Sequence, residues 1–341
     1  MDSLTALALA RELIDIDSTT GREGEAGRWL ARRLRGLGYN VTEQQVDSNR
    51  FNVFARVGAP QVVLSTHFDT VPPFFPSREV DGILYGRGAC DAKGILAAQV
   101  AAAERLRLAG NQNVGLLFVV GEERGSEGAT LANLSAAGSR FLVNGEPTDS
   151  MLAAGTRGIL RVRLHARGRA GHSSAPEHFE SAIEKLLDAL VQLRSMTLPS
   201  NEVFGTTSYS VGVISGGVAP NVVPAEAQAE VMFRIVGHPD DVLARVKKLE
   251  PLVAVEEVLR VSPVVLRTIP GFPARSFPFT TDIPLLDRWG VPLLFGPGSF
   301  LVAHTDEEHL SIAEFETAID SYVSIVTALS SRNGDTQLNA K

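Results

Sequence analysis

The chain has 341 residues, 44% hydrophobic and 21% charged, a composition for about two domains with sizeable cores and not for a disordered or collagen-like chain. Lys and Arg number 32 against 39 Asp and Glu, a net charge of −7, and with no basic block this argues against nucleic acid or an anionic membrane as partner. The lone cysteine, Cys90, excludes an intrachain disulfide. No run reaches the ~18 apolar residues of a membrane span, and the first residues lack the positive region of a secretory signal, so the expectation is a cytoplasmic chain.

Two helices open the chain. Leu4, Leu7, Ala10 and Ile14 recur at helical spacing, and Glu25 to Leu37 repeats the pattern through Trp29, Leu30 and Leu34, with glycines punctuating both. Strands then alternate with helices: Gln61 to Ser65, an Ala-rich helix from Lys93 to Leu108, a buried strand from Val114 to Val120, and Phe141 to Val143. That order predicts an α/β fold, a mostly parallel sheet with helices on both faces.

After Gly158 the texture changes. Leu160, Val162 and Leu164 alternate with Arg161, Arg163 and His165, the mark of a strand exposed on one face. A helix from Ser181 to Leu193, strands at Tyr209 to Ile214 and Ala225 to Ile235, and a helix from Pro239 to Leu249 complete a ferredoxin-like β-α-β-β-α-β pattern. Gly/Pro-rich loops return near Pro270, followed by Val291 to Phe295 and a last helix, Ile312 to Leu329. The reading is an α/β domain at 1–157 and 269–341 with a small α+β domain inserted at 158–268.

The chemistry-bearing residues follow the first domain's strands. His67 and Asp69 close the Gln61 strand, Asp91 precedes the Ala-rich helix, Glu122 and Glu123 follow Val114 to Val120, and Glu146 follows Phe141 to Val143. Residues beyond the carboxyl ends of parallel strands converge on one crevice. Several carboxylates there raise one another's pKa unless a cation joins them, and imidazole mixed with carboxylate suits zinc or a neighbouring transition metal. Asp69, two residues from His67 on extended chain, is placed to orient the imidazole. Glu122 and Glu123, read as extended, would point oppositely and divide their labour. The glycines at 86, 88 and 94 match no phosphate-loop spacing, which argues against a nucleotide site. Cys90 reads as a small buried apolar residue more readily than as a nucleophile.

Seven segments in order extend the picture: Ser65-Thr-His-Phe-Asp-Thr-Val-Pro72, Gly86 to Gly94, Gly121-Glu-Glu-Arg-Gly-Ser-Glu-Gly128, Gly145-Glu-Pro-Thr148, Gly171-His-Ser-Ser174, Asn221-Val-Val-Pro224, and Gly296-Pro-Gly298 with Ala303-His-Thr-Asp-Glu307. Together they resemble the M20 metallopeptidase and aminoacylase family, di-zinc amidohydrolases that include acetylornithine deacetylase, succinyl-diaminopimelate desuccinylase and glutamate carboxypeptidase. The resemblance implies two Zn2+ ions, with Co2+ or Mn2+ as substitutes, bridged by Asp91 and completed by His67 and Glu146 on one side and Glu123 and His304 on the other. Only the family context selects His304 over His309. The resemblance also implies Glu122 as general base, Asp69 as support for His67, and His172 as an oxyanion donor lent across a homodimer formed by the inserted domain. Arg234, Asn221 and Gly298 would meet substrate. Thr66 stands where relatives carry Gly, and Met232 where many carry the Asp of an Asp-x-Arg unit. The implied reaction is hydrolysis of an N-acyl-L-amino acid, acetylornithine deacetylase-like, with a dipeptidase or carboxypeptidase as alternative and a silent metal-binding relative as a further one. Acidic Asp282, Asp306, Glu307 and Glu308 would either favour a basic substrate side chain or be solvated loop residues.

Overall fold

A computed structural model describes residues 1–331. In chain order its principal elements are α1 (Ser3–Ile14), α2 (Gly24–Gly36), β1 (Asn40–Gln45), β2 (Phe51–Arg56), β3 (Val62–His67), α3 (Lys93–Leu108), β4 (Val114–Val119), β5 (Phe141–Asn144), β6 (Gly158–Arg167), α4 (Ala182–Ser195), β7 (Ser208–Gly216), β8 (Glu226–Ile235), α5 (Pro239–Val246), β9 (Ala254–Val261), β10 (Val291–Leu294) and α6 (Ile312–Ser330). They fall into two compact units. The larger comprises Met1–Ala153, Leu266–Arg275 and the described residues from Thr281 to Ser331, and the smaller Ala154–Val265 with Ser276–Thr280.

The larger unit is built on a six-stranded sheet ordered β1-β2-β4-β3-β5-β10. β3 pairs in parallel with both β4 and β5, and β10 continues in parallel beside β5. The β1–β2 hairpin adds an antiparallel edge that the sequence reading missed. β3, β4 and β5 are buried along their whole lengths, as a sheet covered on both faces demands. Three of its helices start on sequence-legible or near-legible signals: Asp2 Oδ1 accepts the Thr5 N–H at 2.8 Å to cap α1, and Ser311 caps α6 through the Glu314 N–H. For α3 the signal is composition, since Ala97, Ala98, Ala101, Ala102 and Ala103 allow α1 and α6 to approach closely from either side. Gly94 at its first turn admits no side chain, because a Cβ would lie 2.1 Å from the Ala89 carbonyl oxygen.

The smaller unit is a four-stranded antiparallel sheet ordered β7-β8-β6-β9, the ferredoxin-like arrangement. One face packs Leu160, Val162, Leu164, Val231 and Phe233 against Leu186 of α4 and Val242 of α5. The other face carries the polar alternates of β6 and β8. β7 lies at the sheet edge and is exposed along nearly its full length, Val213 and Ile214 included.

Candidate metal centre

β3 is flanked by β4 on one side and β5 on the other, so the chain leaves their carboxyl ends around a single crevice. His67, the last residue of β3, is buried there. Its Nδ1 faces the Asp69 carbonyl at 3.0 Å and the Asp69 carboxylate at 3.4 Å, which turns Nε2 toward Asp91 Oδ1 at 3.1 Å and Glu146 Oε2 at 3.9 Å. The other oxygen of Asp91 lies 3.2 Å from His304 Nε2, and Glu123 meets that same nitrogen at 3.0 Å. Asp91 therefore stands between two imidazoles, one per oxygen. His67, Asp91 and Glu123 each place a ligand-type atom within 4.8 Å of the others. His309, five residues beyond His304, instead pairs with Tyr85 in a separate short sheet. His304 itself sits at φ +63°, a conformation a residue with a Cβ seldom holds without cause.

Asp69 holds three pieces of this centre at once. Besides His67, its carboxylate accepts the backbone N–H groups of Glu122 at 3.1 Å and Glu123 at 3.2 Å and the Thr20 hydroxyl at 2.9 Å. Burial opposes its ionisation, yet His67 and these donors hold its pKa below the ordinary value. The extended reading of Glu122 and Glu123 is corrected here. Gly121 adopts φ +80° and the pair opens a single 3-10 turn, Glu122–Arg124, because both N–H groups are gathered onto Asp69.

The charge balance of the protein atoms alone is poor. Burial, and then Glu146, push the Glu122 carboxyl well up, and burial with Asp91 and Asp282 does the same to Glu146 against the pull of His67. Asp91 and Glu123 lift His304 to about 10. Three carboxylates, Asp91, Glu123 and Glu146, and two imidazoles whose ring nitrogens point at carboxylate oxygens form a donor set that fits divalent cations of the zinc type. Asp69 fixing the first imidazole from behind is the usual outer support of such a ligand.

Arg87, which sequence reading passed over, and Glu308, which it read as a solvated or substrate-facing loop residue, shape the Asp91 loop. Arg87 and Glu308 are both buried and paired at 2.7 Å, and Glu308 Oε1 accepts the N–H groups of Gly88, Cys90 and Asp91. Glu308 is thus neither a solvated loop residue nor free to receive a basic side chain, and Glu307 pairs with Arg78. The signal that could have found them is the lone arginine inside a glycine-rich loop, a charge that burial obliges to have a partner. Cys90 is buried, in keeping with its apolar reading. Gly298 holds φ +84°, its N–H donates to Glu314 Oε1 at 2.8 Å, and its carbonyl accepts from Asp149 at 2.8 Å, so both backbone groups are taken.

The smaller unit carries the remaining candidates. His172 lies on a two-stranded ribbon, Gly171–His172 against Val222–Val223, and Asn221 immediately precedes the second strand, its carbonyl accepting the Ser173 N–H at 3.2 Å. His172 is exposed, and its Nδ1 accepts the Ser174 N–H at 3.2 Å, which leaves Nε2 to carry the proton. Arg234, on β8, is partly buried and has no hydrogen bond or ion pair among the described residues; burial alone pushes its pKa down. No helix among the described residues is long and apolar enough to cross a membrane.

Residues 63–328 match the profile of peptidase family M20/M25/M40. A probable carboxypeptidase of Emericella nidulans is 35% identical over 382 residues, covering 96% of this chain and 90% of its own. The fold is shared with a tripeptidase of Staphylococcus aureus, with TM-score 0.80, 20% identity, and 96% of this chain and 99% of that one covered. It is likewise shared with an M20 family metallo-carboxypeptidase of Sulfolobus solfataricus, with TM-score 0.74, 16% identity, and coverage of 96% and 99%. The chain belongs to peptidase family M20, metal-dependent hydrolases of amide and peptide bonds.

Proposed function

We propose that the chain is an exopeptidase of the carboxypeptidase or dipeptidase type, cleaving the amide bond that joins a carboxyl-terminal residue with a free carboxylate. The observation that carries this is Arg234, a partly buried guanidinium with no counterion among the described residues, which an α-carboxylate would match bidentately. Deacylation of an N-acyl-L-amino acid asks for the same groups. The peptidase stands ahead of it because the 35% identical relative is a probable carboxypeptidase.

In this reading His67 and Glu146 would hold one ion and Glu123 and His304 a second, with Asp91 shared between them. Zinc fits the donor set, and Co2+ or Mn2+ would substitute. Bound divalent ions supply Lewis-acid polarisation and make water acidic enough to ionise near neutrality. Glu122 takes a proton from the attacking water at its carboxylate and returns it to the leaving nitrogen, the work of a general base. Asp69 keeps the Glu122 turn and the His67 ring fixed while that proton moves. On the smaller unit, His172, with its Nε2 hydrogen, and Asn221 are offered as contacts for substrate, His172 as the hydrogen-bond donor that a partner subunit would lend. Gly298, with its backbone groups occupied, contributes a tight turn. A homodimer through the smaller unit accords with the exposed edge strand β7, whose unpaired backbone groups are a template for a second copy.

A panel of dipeptides and N-acetyl amino acids, each as free acid and as carboxyl-terminal amide, tests the reading in the metal-loaded protein. Free-acid dipeptides should be cleaved fastest. Arg234→Ala should raise KM for the acids by about ten- to a hundredfold and affect the amides little. Equal effects on acids and amides would make Arg234 structural and remove the exopeptidase argument.

A further inference from the structure

The uncovered face of the smaller unit's sheet holds more positive charge than one substrate carboxylate requires. Along β6 the half-buried positions are Ile159, Arg161, Arg163 and His165, between fully buried Leu160, Val162, Leu164 and Ala166. Register places Arg163 opposite Glu230, Arg161 opposite Met232, and Ile159 opposite Arg234, with Ser208 of β7 on the far side of Arg234. Arg163 is fully matched, with Glu230 at 2.9 Å and Glu256 at 2.9 Å.

One row along, the matching stops. Arg161 has no partner among the described residues, and its Nε is buried and unbonded. Met232 stands opposite it where a carboxylate would complete the row. Arg234, diagonal to Arg161 and about 7–8 Å away by sheet geometry, is likewise unpaired. Arg157, just before β6, reaches the Phe204 carbonyl at 2.7 Å and Ser208 Oγ at 3.4 Å, both neutral acceptors. Arg161 and Arg234, on adjacent strands, therefore both lack a carboxylate partner among the described residues, whereas the next arginine of β6, Arg163, has two. Like charges this close, part-buried, are stable together only when an anion joins them.

We infer that Arg161 forms a second anion subsite next to Arg234, so that the preferred substrates end in a residue with an acidic side chain. The α-carboxylate goes to Arg234, as the proposed function has it, and the side-chain carboxylate to Arg161. Arg161 is a specificity-determining residue and takes no part in bond cleavage.

The test is calorimetric titration of the full-length Glu122→Gln chain with N-acetyl-L-glutamate and N-acetyl-L-glutamine, which differ in one carboxylate. The glutamate compound should bind about ten- to a hundredfold more tightly. Adding Arg161→Gln should erase that preference while leaving the glutamine affinity within about twofold, and Arg161→Lys should keep part of it, which separates lost charge from lost fold. Equal affinities before that substitution, no binding of either compound, or a preference that survives Arg161→Gln would overturn the inference. Arg234→Gln reports separately on the underlying reading. It should weaken both ligands alike, and unchanged affinities there would sink the α-carboxylate assignment while the Arg161 comparison still stands.

Discussion

Glu122 and Glu123 adjoin in sequence, yet the centre asks different things of them. Glu123 faces His304 at 3.0 Å, whereas Glu122 has no ion pair among the described residues and lies within electrostatic reach of Glu146 and Asp282. Glu122→Gln should therefore keep the metal content of the parent and lose kcat by about a thousandfold or more, since a missing proton acceptor costs at least what general-base catalysis supplies. Asp91→Ala should lose metal as well as activity, because Asp91 turns one oxygen toward each imidazole. Elemental analysis beside kinetics separates the two, and a Glu122→Gln variant of near-parental rate would remove Glu122 from the chemistry. At this scale the sequence was informative where chemistry constrains residue type: His67, Asp91, Glu123 and Glu146 are brought together as the strand ends implied. It failed where backbone geometry decides, since nothing in Gly121-Glu-Glu announces that both N–H groups turn onto Asp69.

Regular elements with a strong apolar period were legible, and α3 runs from Lys93 to Leu108 as read. The β1–β2 hairpin was not. Asn40–Gln45 is polar at every position but Val41, and its turn rests on Asp47 accepting the N–H groups of Asn49 and Arg50 at 2.9 Å and 3.0 Å rather than on a glycine. The helix from Pro239 likewise closes early, at Val246, and finishes as a 3-10 turn, Lys247–Leu249. The Asp91 loop depends on a residue more than two hundred positions away, Glu308, which binds Arg87 and three loop N–H groups. Glu308→Gln keeps the shape but removes the charge that Arg87 was buried against. Stability should fall by about 3–5 kcal/mol, the usual penalty for stranding one member of a buried pair. Metal affinity should fall with it, as the Asp91 backbone loosens. Chemical denaturation and metal titration measure the two, and a variant as stable as the parent would show that water reaches Arg87.

The whole molecule divides its labour between two units. Leu9, Leu64, Ile95, Phe118 and Tyr322 belong to the core of the larger unit, and Leu160, Leu186, Phe233 and Val242 to that of the smaller. All five proposed ligands, His67, Asp91, Glu123, Glu146 and His304, fall within the larger unit, while His172, Asn221, Arg161 and Arg234 fall within the smaller. An ion that binds only the folded larger unit stabilises that unit by mass action, about 2.7 kcal/mol at a free concentration one hundred times Kd, and leaves the smaller unit's own core untouched. Heating the chain with and without chelator should accordingly show two transitions, of which only one moves down by several degrees when metal is removed. Near-ultraviolet circular dichroism identifies it, because Trp29 and Trp289 both lie in the larger unit and report its unfolding directly. If the tryptophan-reported transition stayed in place on chelation while the other moved, the ligands would have been assigned to the wrong unit. A single transition shifting as a whole would show instead that the two units unfold cooperatively.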